Sequence, residues 1–467
     1  MLDNTYARLP SRFYHKSNPS QCPDPKLVLF NHRLAEDVQL EFPNNASIVD
    51  WLSGNKLIPG SEPIALAYAG SQFGYFVPQL GDGRAHLLGE INGLDLQLKG
   101  SGVTMWSRGA DGKCPLGPAI REFIVSEAMN ALGVPTTRAL SIIASGEIVH
   151  REDGDEPGAV LARIADSHIR VGTFQYFHHK EDVEALEILC DYSIKRHYPE
   201  INPKGSNRYI EFLRAFAERQ GNLIAKWFAQ GFIHGVMNTD NCSIAGITID
   251  YGPCAFMDNY QFNKVFSSID TQGRYAYGNQ MTIVKWNISQ LAECLIPLIS
   301  DQHDRSTKLI TETLLPVFNG FKGKITQAFA SKLGFDSSNR EVEILIGDFL
   351  KYLELHSLDF TKSFCLLPNL YHDREPFFPH DAGLKSFFTR WKALTPNINT
   401  LAASNPQLIP RNHQVQKAID FAYQNDFQYL HTLWEAIKDP FSIAPEHQHL
   451  AAPPKEGERV YQTFCGT

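Results

Sequence analysis

The sequence lacks the short patterns that identify several large classes of protein. Its eight cysteines are scattered singly, and no CxxC pair indicates a zinc or iron–sulfur site. No stretch reaches the roughly 18 consecutive apolar residues of a membrane-spanning helix. The GxGxxG pattern of dinucleotide-binding loops is missing, and so are internal repeats and low-complexity tracts. The sequence therefore predicts a compact folded protein whose function must be read from rarer features.

An excess of basic residues is also missing. The chain has 43 Lys and Arg against 51 Asp and Glu, which gives a formal net charge of -8. Such a charge argues against neutralisation of nucleic-acid phosphates, but it leaves room for a local basic cleft that binds a small anion. The first residues contain no continuous apolar run of the kind found in signal peptides. We expect a cytoplasmic protein that binds neither nucleic acid nor membrane, and the oligomeric state stays open.

A glycine-rich, strand-like segment covers residues 65–99. It contains a GDG turn and then an Asn-Gly dipeptide at 92–93, which is a strong hairpin signal. Alternation in the second strand puts Lys99 on the less apolar face. A GDG turn alone is more typical of a tight hairpin than of a phosphate-binding loop, and a strand lysine is more often exposed than a ligand. The segment predicts a small antiparallel sheet.

Helical signals follow this sheet. A helix is predicted to begin at Pro118, a residue suited to the first turn, and to end before Gly133. Residues 206–230 have the spacing of a long amphipathic helix, and from about residue 280 onward the spacing is mainly helical. The 467 residues, 43% of them hydrophobic, fit two domains or one bilobal enzyme. The sequence therefore predicts an α+β fold whose second part is mainly helical.

The strongest chemical signal lies in residues 231–252, GFIHGVMNTDNCSIAGITIDYG. We interpret this segment as a polar run, a short apolar strand and then an IDYG turn. Kinase-like phosphotransferases hold Mg²⁺ against nucleotide phosphates with an asparagine and an aspartate at adjacent strand ends, because both supply hard oxygen ligands. Asn241 and Asp250 fit these two positions.

The same segment departs from ordinary kinases. Asn241 follows His234 by seven residues, as in the HGDxxxxN motif of small-molecule kinases, but Val236 stands where the catalytic aspartate belongs. Valine cannot accept a proton. Asp240 is therefore the candidate base, although polar residues in such a run equally often serve as turn caps.

Several segments together resemble the selenoprotein O family. They are YAGSQFGYFVPQLGDGRAHLLGEI, LQLKGSG, RGADGKCPLGPAIREFIVSEAMNALGVPTTRAL, VLARIADSHIRVGTFQYF and GFIHGVMNTDNCSIAGITIDYGP, which run from about residue 68 to residue 253. The C-terminal NHQVQKAI and YQTFCGT are similar to this family as well. The resemblance thus covers nearly the whole chain.

This resemblance implies a protein-kinase-like bilobal fold, with a small β-rich N-lobe that carries one key helix and a larger, mainly helical C-lobe. The corresponding division is an N-terminal extension over 1–60, the N-lobe over 61–164, the C-lobe over 165–455 and a tail over 456–467. The resemblance also implies an inverted ATP, whose α-phosphate faces a protein hydroxyl. The expected ligands are ATP as substrate, Mg²⁺ or Mn²⁺, and proteins with acceptor hydroxyls.

The resemblance further implies roles for individual residues. Asp240 is expected to be the catalytic base, and Asn241 and Asp250 are expected to hold the metal. Asp250 is also expected to contact the nucleotide. The other expected nucleotide-binding residues are Gly81, Gly83, Arg84, Lys99, Asp111, Gly112, Glu122, Arg163 and Arg170.

Two of these assignments leave alternatives. On the predicted helix, Glu127 falls beside the apolar face and Glu122 falls well outside it. Glu122 is retained as the partner of Lys99 on the family motif, with Glu127 as the rival. Arg163 and Arg170, seven residues apart, lie either on one side of a helix or at the two ends of a turn.

Redox control is a further hypothesis from the resemblance. Members of the family carry a selenocysteine or cysteine close to the C-terminus, which Cys465 matches, and some pair it with a cysteine in the loop after the metal aspartate. In this chain that loop, FMDNYQFNKVFSSIDTQGRY, contains no cysteine. Cys254 is the nearby candidate, so a regulatory disulfide stays an open hypothesis.

Two other functions also stay open. An atypical kinase that transfers the γ-phosphoryl group agrees with the spacing of the metal ligands and is weakened by Val236. A catalytically inactive nucleotide-binding scaffold would be free to lose some of Lys99, Asp240, Asn241 and Asp250, and all are present. The sequence favours an enzyme that transfers AMP to Ser, Thr or Tyr hydroxyls of proteins.

Overall fold

A computed structural model of the chain describes residues 2–151, 154–371, 378 and 381–464. These residues form a mixed α+β fold, in which an antiparallel sheet is followed by a mainly helical second part, as the sequence predicts. Within the described ranges, no helix is both long enough and apolar enough to cross a membrane.

An eight-stranded antiparallel sheet organises the first part of the chain. The strands of the protein are β1 (Tyr14–Lys16), β2 (Lys26–Phe30), β3 (Ile64–Leu66), β4 (Gly70–Gln72), β5 (Tyr75–Val77), β6 (Ala85–Ile91), β7 (Leu94–Lys99), β8 (Cys114–Pro115), β9 (Arg138–Arg151), β10 (Gly154–Ala165), β11 (Phe232–Ile233) and β12 (Ala255–Phe256). The order in the main sheet is β1-β3-β6-β7-β10-β9-β2, and β8 pairs with β10. Strands β1 and β2 come from the first 60 residues, so this segment supplies both ends of the sheet. The pairs β4–β5 and β11–β12 form small sheets of their own.

The predicted hairpin forms between β6 and β7. Asn92 and Gly93 lie in its turn with φ of 51° and 81°. Tight two-residue hairpin turns require positive φ at such positions, which is why Asn-Gly is favoured there. The hairpin prediction is therefore confirmed, and it places Lys99 at the end of β7, in register with Leu161 of β10.

The helices are α1 (His32–Asp37), α2 (Asn45–Leu52), α3 (Leu116–Ala131), α4 (Val171–His179), α5 (Val183–His197), α6 (Arg208–Gln230), α7 (Gln280–Ile299), α8 (His303–Lys332), α9 (Arg340–Leu355), α10 (Phe360–Cys365), α11 (Leu367–Tyr371), α12 (Ala382–Ala393), α13 (Ile398–Ser404), α14 (Asn412–Ala422) and α15 (Gln428–Ile437). The two helices predicted in the first half are confirmed as α3 and α6. Helix α6 is capped by Gly231 with φ of 63°, the left-handed conformation that glycine adopts without strain.

Helix α3 is buried on nearly all sides. It packs against β9 and β10 and also against α14 and α15. Ile120 and Phe123 share an apolar cluster with Ile419 and Trp434, and the Phe123 and Trp434 rings meet edge to face with centroids 5.4 Å apart. Helices α14 and α15, near the end of the chain, therefore cover the side of α3 that the sheet leaves exposed.

The apolar strand predicted inside residues 231–252 is wrong. Residues 247–250 make only an isolated parallel bridge, in which the Thr248 N–H donates to Pro135 O and Thr248 O accepts from the Thr137 N–H. A left-handed Gly246, with φ of 77°, turns the chain immediately before this bridge. The segment therefore has one pairing partner over one residue, which is too short for a strand.

A buried ion cluster joins the late helices to the middle of the chain. Arg411, 2% exposed, donates from Nη1 to Asp258 Oδ1 at 2.7 Å and to Asp359 Oδ2 at 2.8 Å. Its Nε donates to the Ala451 carbonyl at 3.0 Å. Asp359 also caps α10 by accepting from the Lys362 N–H. One guanidinium thus fixes three separate segments.

The end of the chain is docked over the residues that are described. Thr463 pairs with Ser267, and its hydroxyl donates to the Pro253 carbonyl at 2.7 Å. The predicted tail therefore contacts the loop that follows Asp250. Cys254 is fully buried, while Cys465 lies outside the described residues, so the disulfide hypothesis is not tested.

Replacing the buried Lys332 by methionine should stabilise the protein by about 2 kcal/mol at pH 7. Lys332 is 2% exposed, faces the rings of Phe360 and Phe364, and has a carbonyl, Ser404 O, at 3.5 Å. Burial lowers the pKa of this amine to about 7, against about 10.4 in an unfolded chain. The amine therefore destabilises the fold as pH falls from about 10 to 7.

The measurement is thermal unfolding of the Lys332→Met variant at pH 7 and pH 10. The gain should be present at pH 7 and nearly absent at pH 10. Lys308→Met, at a lysine that is 75% exposed, is the matched control and should change stability by less than about 0.5 kcal/mol. An equal gain at both pH values would contradict the prediction.

Candidate active site

A cleft of about 710 Å³ lies between the sheet with α3 and the segment 231–252. The wall of the cleft receives side chains from strand β7, helix α3 and strand β10, from Arg170 just before helix α4, and from the segment 231–252. The cleft brings together the whole set of residues singled out in the sequence, namely Gly81, Gly83, Arg84, Lys99, Asp111, Gly112, Glu122, Arg163, Arg170, Asp240, Asn241 and Asp250.

Alternating charges form the centre of the cleft. Lys99 Nζ donates to Glu122 Oε2 at 2.6 Å and to Asp250 Oδ1 at 2.8 Å. Arg163 Nη1 donates to Glu122 Oε1 at 2.9 Å and to Asp250 Oδ1 at 2.7 Å. Burial alone would raise the pKa of both carboxyls, but these two cations outweigh it. The pKa of Glu122 therefore lies below its usual value, and the pKa of Asp250 lies well below it.

Glu127, the rival partner of Lys99, belongs to a different cluster. Its carboxylate accepts two bonds from Arg138, both at 2.8 Å, and one from Asn31 Nδ2 at 2.8 Å. Lys99 pairs with Glu122 instead. Helical periodicity could not decide between the two glutamates, because α3 is buried against both the sheet and the late helices and has no single apolar face.

Arg163 and Arg170 reach the cleft from the two ends of a turn. Arg163 lies in β10 and Arg170 is the residue before the first turn of α4, so the alternative that places both on one helix is wrong. The Arg170 guanidinium lies 4.4 Å from the Tyr68 ring centroid, and its Nη2 is 3.6 Å from Asp250 Oδ2. Both arginines are buried, at 2% and 3% exposure, although neither lies in an apolar environment.

Asp240 lies in a single 3-10 turn, Thr239–Asn241, at one wall of the cleft. Its Oδ2 accepts from Gln72 Nε2 at 3.2 Å, and its Oδ1 has no hydrogen-bond partner among the described residues. Burial raises the pKa of this carboxyl to about 6, although the Gln72 bond lowers it. A carboxyl of this kind is mostly ionised near neutral pH and only partly satisfied, which are the properties that a general base needs.

Asn241 and Asp250 supply the oxygens that a hard divalent cation prefers. Asn241 Nδ2 donates to the Val236 carbonyl at 2.9 Å, so Oδ1 is the atom of this amide that would coordinate a cation. Asp250 adopts φ of 61°, an uncommon conformation for a residue other than glycine. The described residues contain no cluster of three or more His, Cys, Asp or Glu with metal-site geometry. Two oxygen ligands nevertheless fit Mg²⁺, which typically takes its other ligands from phosphates and water.

The glycines of the cleft permit close backbone approach. Gly81 has φ of 66° and lies against the Trp106 side chain, and Gly112 has φ of 68° and lies against the backbone of Gly102. A side chain at either position would be strained and would also collide with these neighbours. Asp111, the neighbour of Gly112, accepts from Arg151 Nη1 at 2.8 Å.

Sequence reasoning missed several polar residues of the cleft region. Asp82 and Tyr68 line the cleft beside Arg170, and Gln72 contacts Asp240. Gln97 lies behind them and accepts from Arg163 Nε at 2.8 Å. Gln97 could have been predicted from the sequence, because strand alternation puts it on the same face of β7 as Lys99. Tyr68 and Gln72 lie in the quoted family segment but have no pattern of their own.

Comparisons with known proteins agree with this geometry. The family model for protein adenylyltransferase SelO matches residues 2–438. The protein nucleotidyltransferase YdiU of Agrobacterium fabrum is 46% identical over 486 residues, covering 100% of this chain and 99% of the relative. Proteins of the same name from Maridesulfovibrio salexigens and Teredinibacter turnerae are 45% and 44% identical, and each alignment covers 100% of this chain and at least 98% of the relative.

These matches confirm the resemblance seen in the motifs, because they extend over the whole chain rather than over the catalytic segment alone. The described cleft is lined by acidic and basic side chains together. The chain therefore belongs to the protein adenylyltransferase SelO family, and it is an enzyme of the nucleotidyltransferase class.

Proposed function

We propose that this enzyme transfers AMP from ATP to Ser, Thr or Tyr hydroxyls of proteins and releases pyrophosphate. The observation that carries the proposal is the position of Asp240. A buried carboxyl, one oxygen of which has no hydrogen-bond partner among the described residues, lies in the same cleft as the two metal-ligand candidates and the cations Lys99, Arg163 and Arg170. Val236, which stands where kinases have their catalytic aspartate, also lines the cleft and cannot act as a base.

In this proposal Asp240 accepts the proton of the acceptor hydroxyl. The hydroxyl oxygen then bonds to the α-phosphorus, and the bond from that phosphorus to the oxygen bridging to the β-phosphate breaks. Pyrophosphate leaves with the electron pair. Lys99, Arg163 and Arg170 stabilise the charge that develops on the phosphoryl oxygens and on the leaving group.

Asn241 and Asp250 would hold Mg²⁺ or Mn²⁺, which when bound supplies partial neutralisation of the phosphate charge. Asp250 also contacts Lys99 and Arg163. With a metal held there, Asp250 would attract these cations less strongly, and their donors would be available to phosphate oxygens. Glu122 keeps Lys99 and Arg163 in place through its two oxygens.

The proposal includes a protein-kinase-like bilobal arrangement. Its small lobe would be residues 61–164, with the sheet and α3, and its large lobe would be residues 165–455. Residues 1–60 would be an extension of the small lobe, and residues 456–467 a tail. Support comes from the Lys99–Glu122 pair between a strand and a helix, and from Asp250, which contacts Lys99 directly and lines the same cleft as Asn241. The cytoplasmic location and the absence of a nucleic-acid partner stay predictions from composition.

The test uses ATP labelled at the α- or the γ-phosphate, reduced protein, and Mg²⁺ or Mn²⁺. We expect label on protein from the α-position only, and none with Asp250→Ala. Asp304→Ala, at a fully exposed position on α8, is the matched control and should transfer like the wild type. Transfer from the γ-position only would make the protein a kinase. Transfer from neither, with ATP still bound, would favour a nucleotide-binding scaffold.

A further inference from the structure

A buried aspartate lies beside Arg170 and is connected to Arg163. Asp82, the centre of the GDG turn, is 3% exposed. Its Oδ2 accepts from the Leu66 N–H and from Gln97 Nε2, both at 3.2 Å. The other amide atom of Gln97, Oε1, accepts from Arg163 Nε. Asp82 is thus linked to Arg163 through one fully buried glutamine.

The same aspartate faces Arg170 directly. Asp82 Oδ1 lies 3.8 Å from Arg170 Nη2, on the cleft wall. Arg170 has a second carboxylate at 3.6 Å, that of Asp250, and its Nε has no hydrogen-bond partner among the described residues. At these distances the guanidinium is attracted to both carboxylates without donating a hydrogen bond to either. Its donors therefore stay available to a phosphate.

The carboxylates of Asp250 and Asp82 differ in function. Asp250 is the metal ligand of the proposed function, and a carboxylate that binds a divalent cation holds a neighbouring arginine less firmly. Asp82 has no such second role, because its Oδ2 is already fixed by Leu66 and Gln97. It is therefore the carboxylate that can hold Arg170 throughout the reaction.

We propose that Asp82 is a positioning residue for nucleotidyl transfer, which orients Arg170 directly and Arg163 through Gln97. The proposal rests on the proposed function and extends it to a residue that acts through the two arginines rather than on the nucleotide's reacting atoms. The competing explanation is that Asp82 only stabilises the turn by accepting from the Leu66 N–H. Asp82→Asn separates the two roles, because the amide oxygen still accepts this bond while the negative charge is lost.

The experiment measures kcat for transfer of α-label, the Kd of ATP by calorimetry, and the Tm. For Asp82→Asn we expect kcat to fall about 10- to 100-fold, as is typical when the support of a functional group is removed. The Kd should stay within about threefold, because loss of a negative charge beside the phosphate site does not weaken anion binding. Glu90→Gln is the matched control. Glu90 is a buried carboxylate paired with Arg196 outside the cleft, and its substitution should leave kcat and Kd unchanged.

A double-mutant cycle with Arg170→Lys completes the test. If Asp82 acts through Arg170, the loss in kcat caused by Asp82→Asn should shrink to less than about threefold in the Arg170→Lys background. An equal loss in both backgrounds, or wild-type kcat in Asp82→Asn, would overturn the role of Asp82 while leaving AMP transfer intact. Absence of α-label transfer by the wild type would instead overturn the proposed function, and this inference with it.

Discussion

Replacing Asp240 by asparagine should lower AMP transfer by about a hundredfold to ten-thousandfold, which is the usual contribution of a general base. Asparagine has the same shape and keeps an oxygen for Gln72 Nε2, so ATP binding should change by less than about threefold. The measurement is initial-rate transfer of α-label with ATP affinity determined separately. Substantial transfer by Asp240→Asn would contradict the assignment of Asp240 as base.

The pH dependence of kcat/KM for the wild-type enzyme is a second test of Asp240 as the base. Because burial raises the pKa of Asp240 to about 6, kcat/KM should fall about tenfold per pH unit below 6 and level off above it. A flat profile between pH 4.5 and 7 would exclude this carboxyl as the base.

The same pKa shift predicts that Asp240→Asn, which lowers activity, raises the stability of the protein. An acid whose pKa is higher in the folded protein than in the unfolded chain destabilises the fold when it is ionised, and this cost grows as pH rises from about 4 to 6. Asp240→Asn should therefore be more stable than the wild type by about 2–3 kcal/mol at pH 8, and nearly equal to it at pH 4. Thermal unfolding at both pH values checks this, and lower stability at pH 8 would contradict it.

Replacing Arg411 by alanine should destabilise the protein by about 3–5 kcal/mol at pH 8, because it leaves Asp258 and Asp359 as buried, unpaired carboxylates. Burial already raises the pKa of Asp258 even with Arg411 present. Removal of the cation raises that pKa further, so the destabilisation should lessen at acidic pH, where Asp258 takes up a proton.

Urea unfolding of Arg411→Ala at pH 5 and pH 8 measures this effect. Arg390→Ala is the control, because Arg390 pairs with Asp348 at 2.8 Å on the surface, with both side chains nearly half exposed. Its loss should cost less than about 1 kcal/mol. Similar losses for the two arginines would show that the buried cluster has no special importance.

The sequence predicted those parts of the fold that depend on neighbouring residues. The hairpin around Asn92, the helix after the sheet and the long helix before Gly231 each follow from local signals, namely a turn dipeptide, apolar spacing and a helix-ending glycine. The candidate site was also found largely intact, because its residues lie in a few family-like segments. Their joint position in one cleft is a finding of the structure, while their chemical roles stay predictions.

Features that depend on distant contacts could not be predicted in this way. Glu127 could be excluded as the partner of Lys99 only after the structure showed that it pairs with Arg138. Residues 247–250 do not form a strand, because they have only one bridging residue in another segment to pair with. Asp82 lies between Gly81 and Gly83 and was not predicted as a site residue. Its partners Arg170 and Gln97 are distant in the sequence and come close to it only in the folded protein. No local pattern carries such information.

The support of α3 by α14 and α15 has a consequence for the order of events during synthesis. The partners of Ile120 and Phe123 are encoded about 300 residues later, so at roughly 5–20 residues per second they leave the ribosome some 15 to 60 seconds after α3 does. Until then, the helix that carries Glu122 packs against the sheet but has an uncovered apolar side. We therefore expect a growing chain that already contains the complete set of cleft residues to hold the Lys99–Glu122 pair less firmly than the finished protein does.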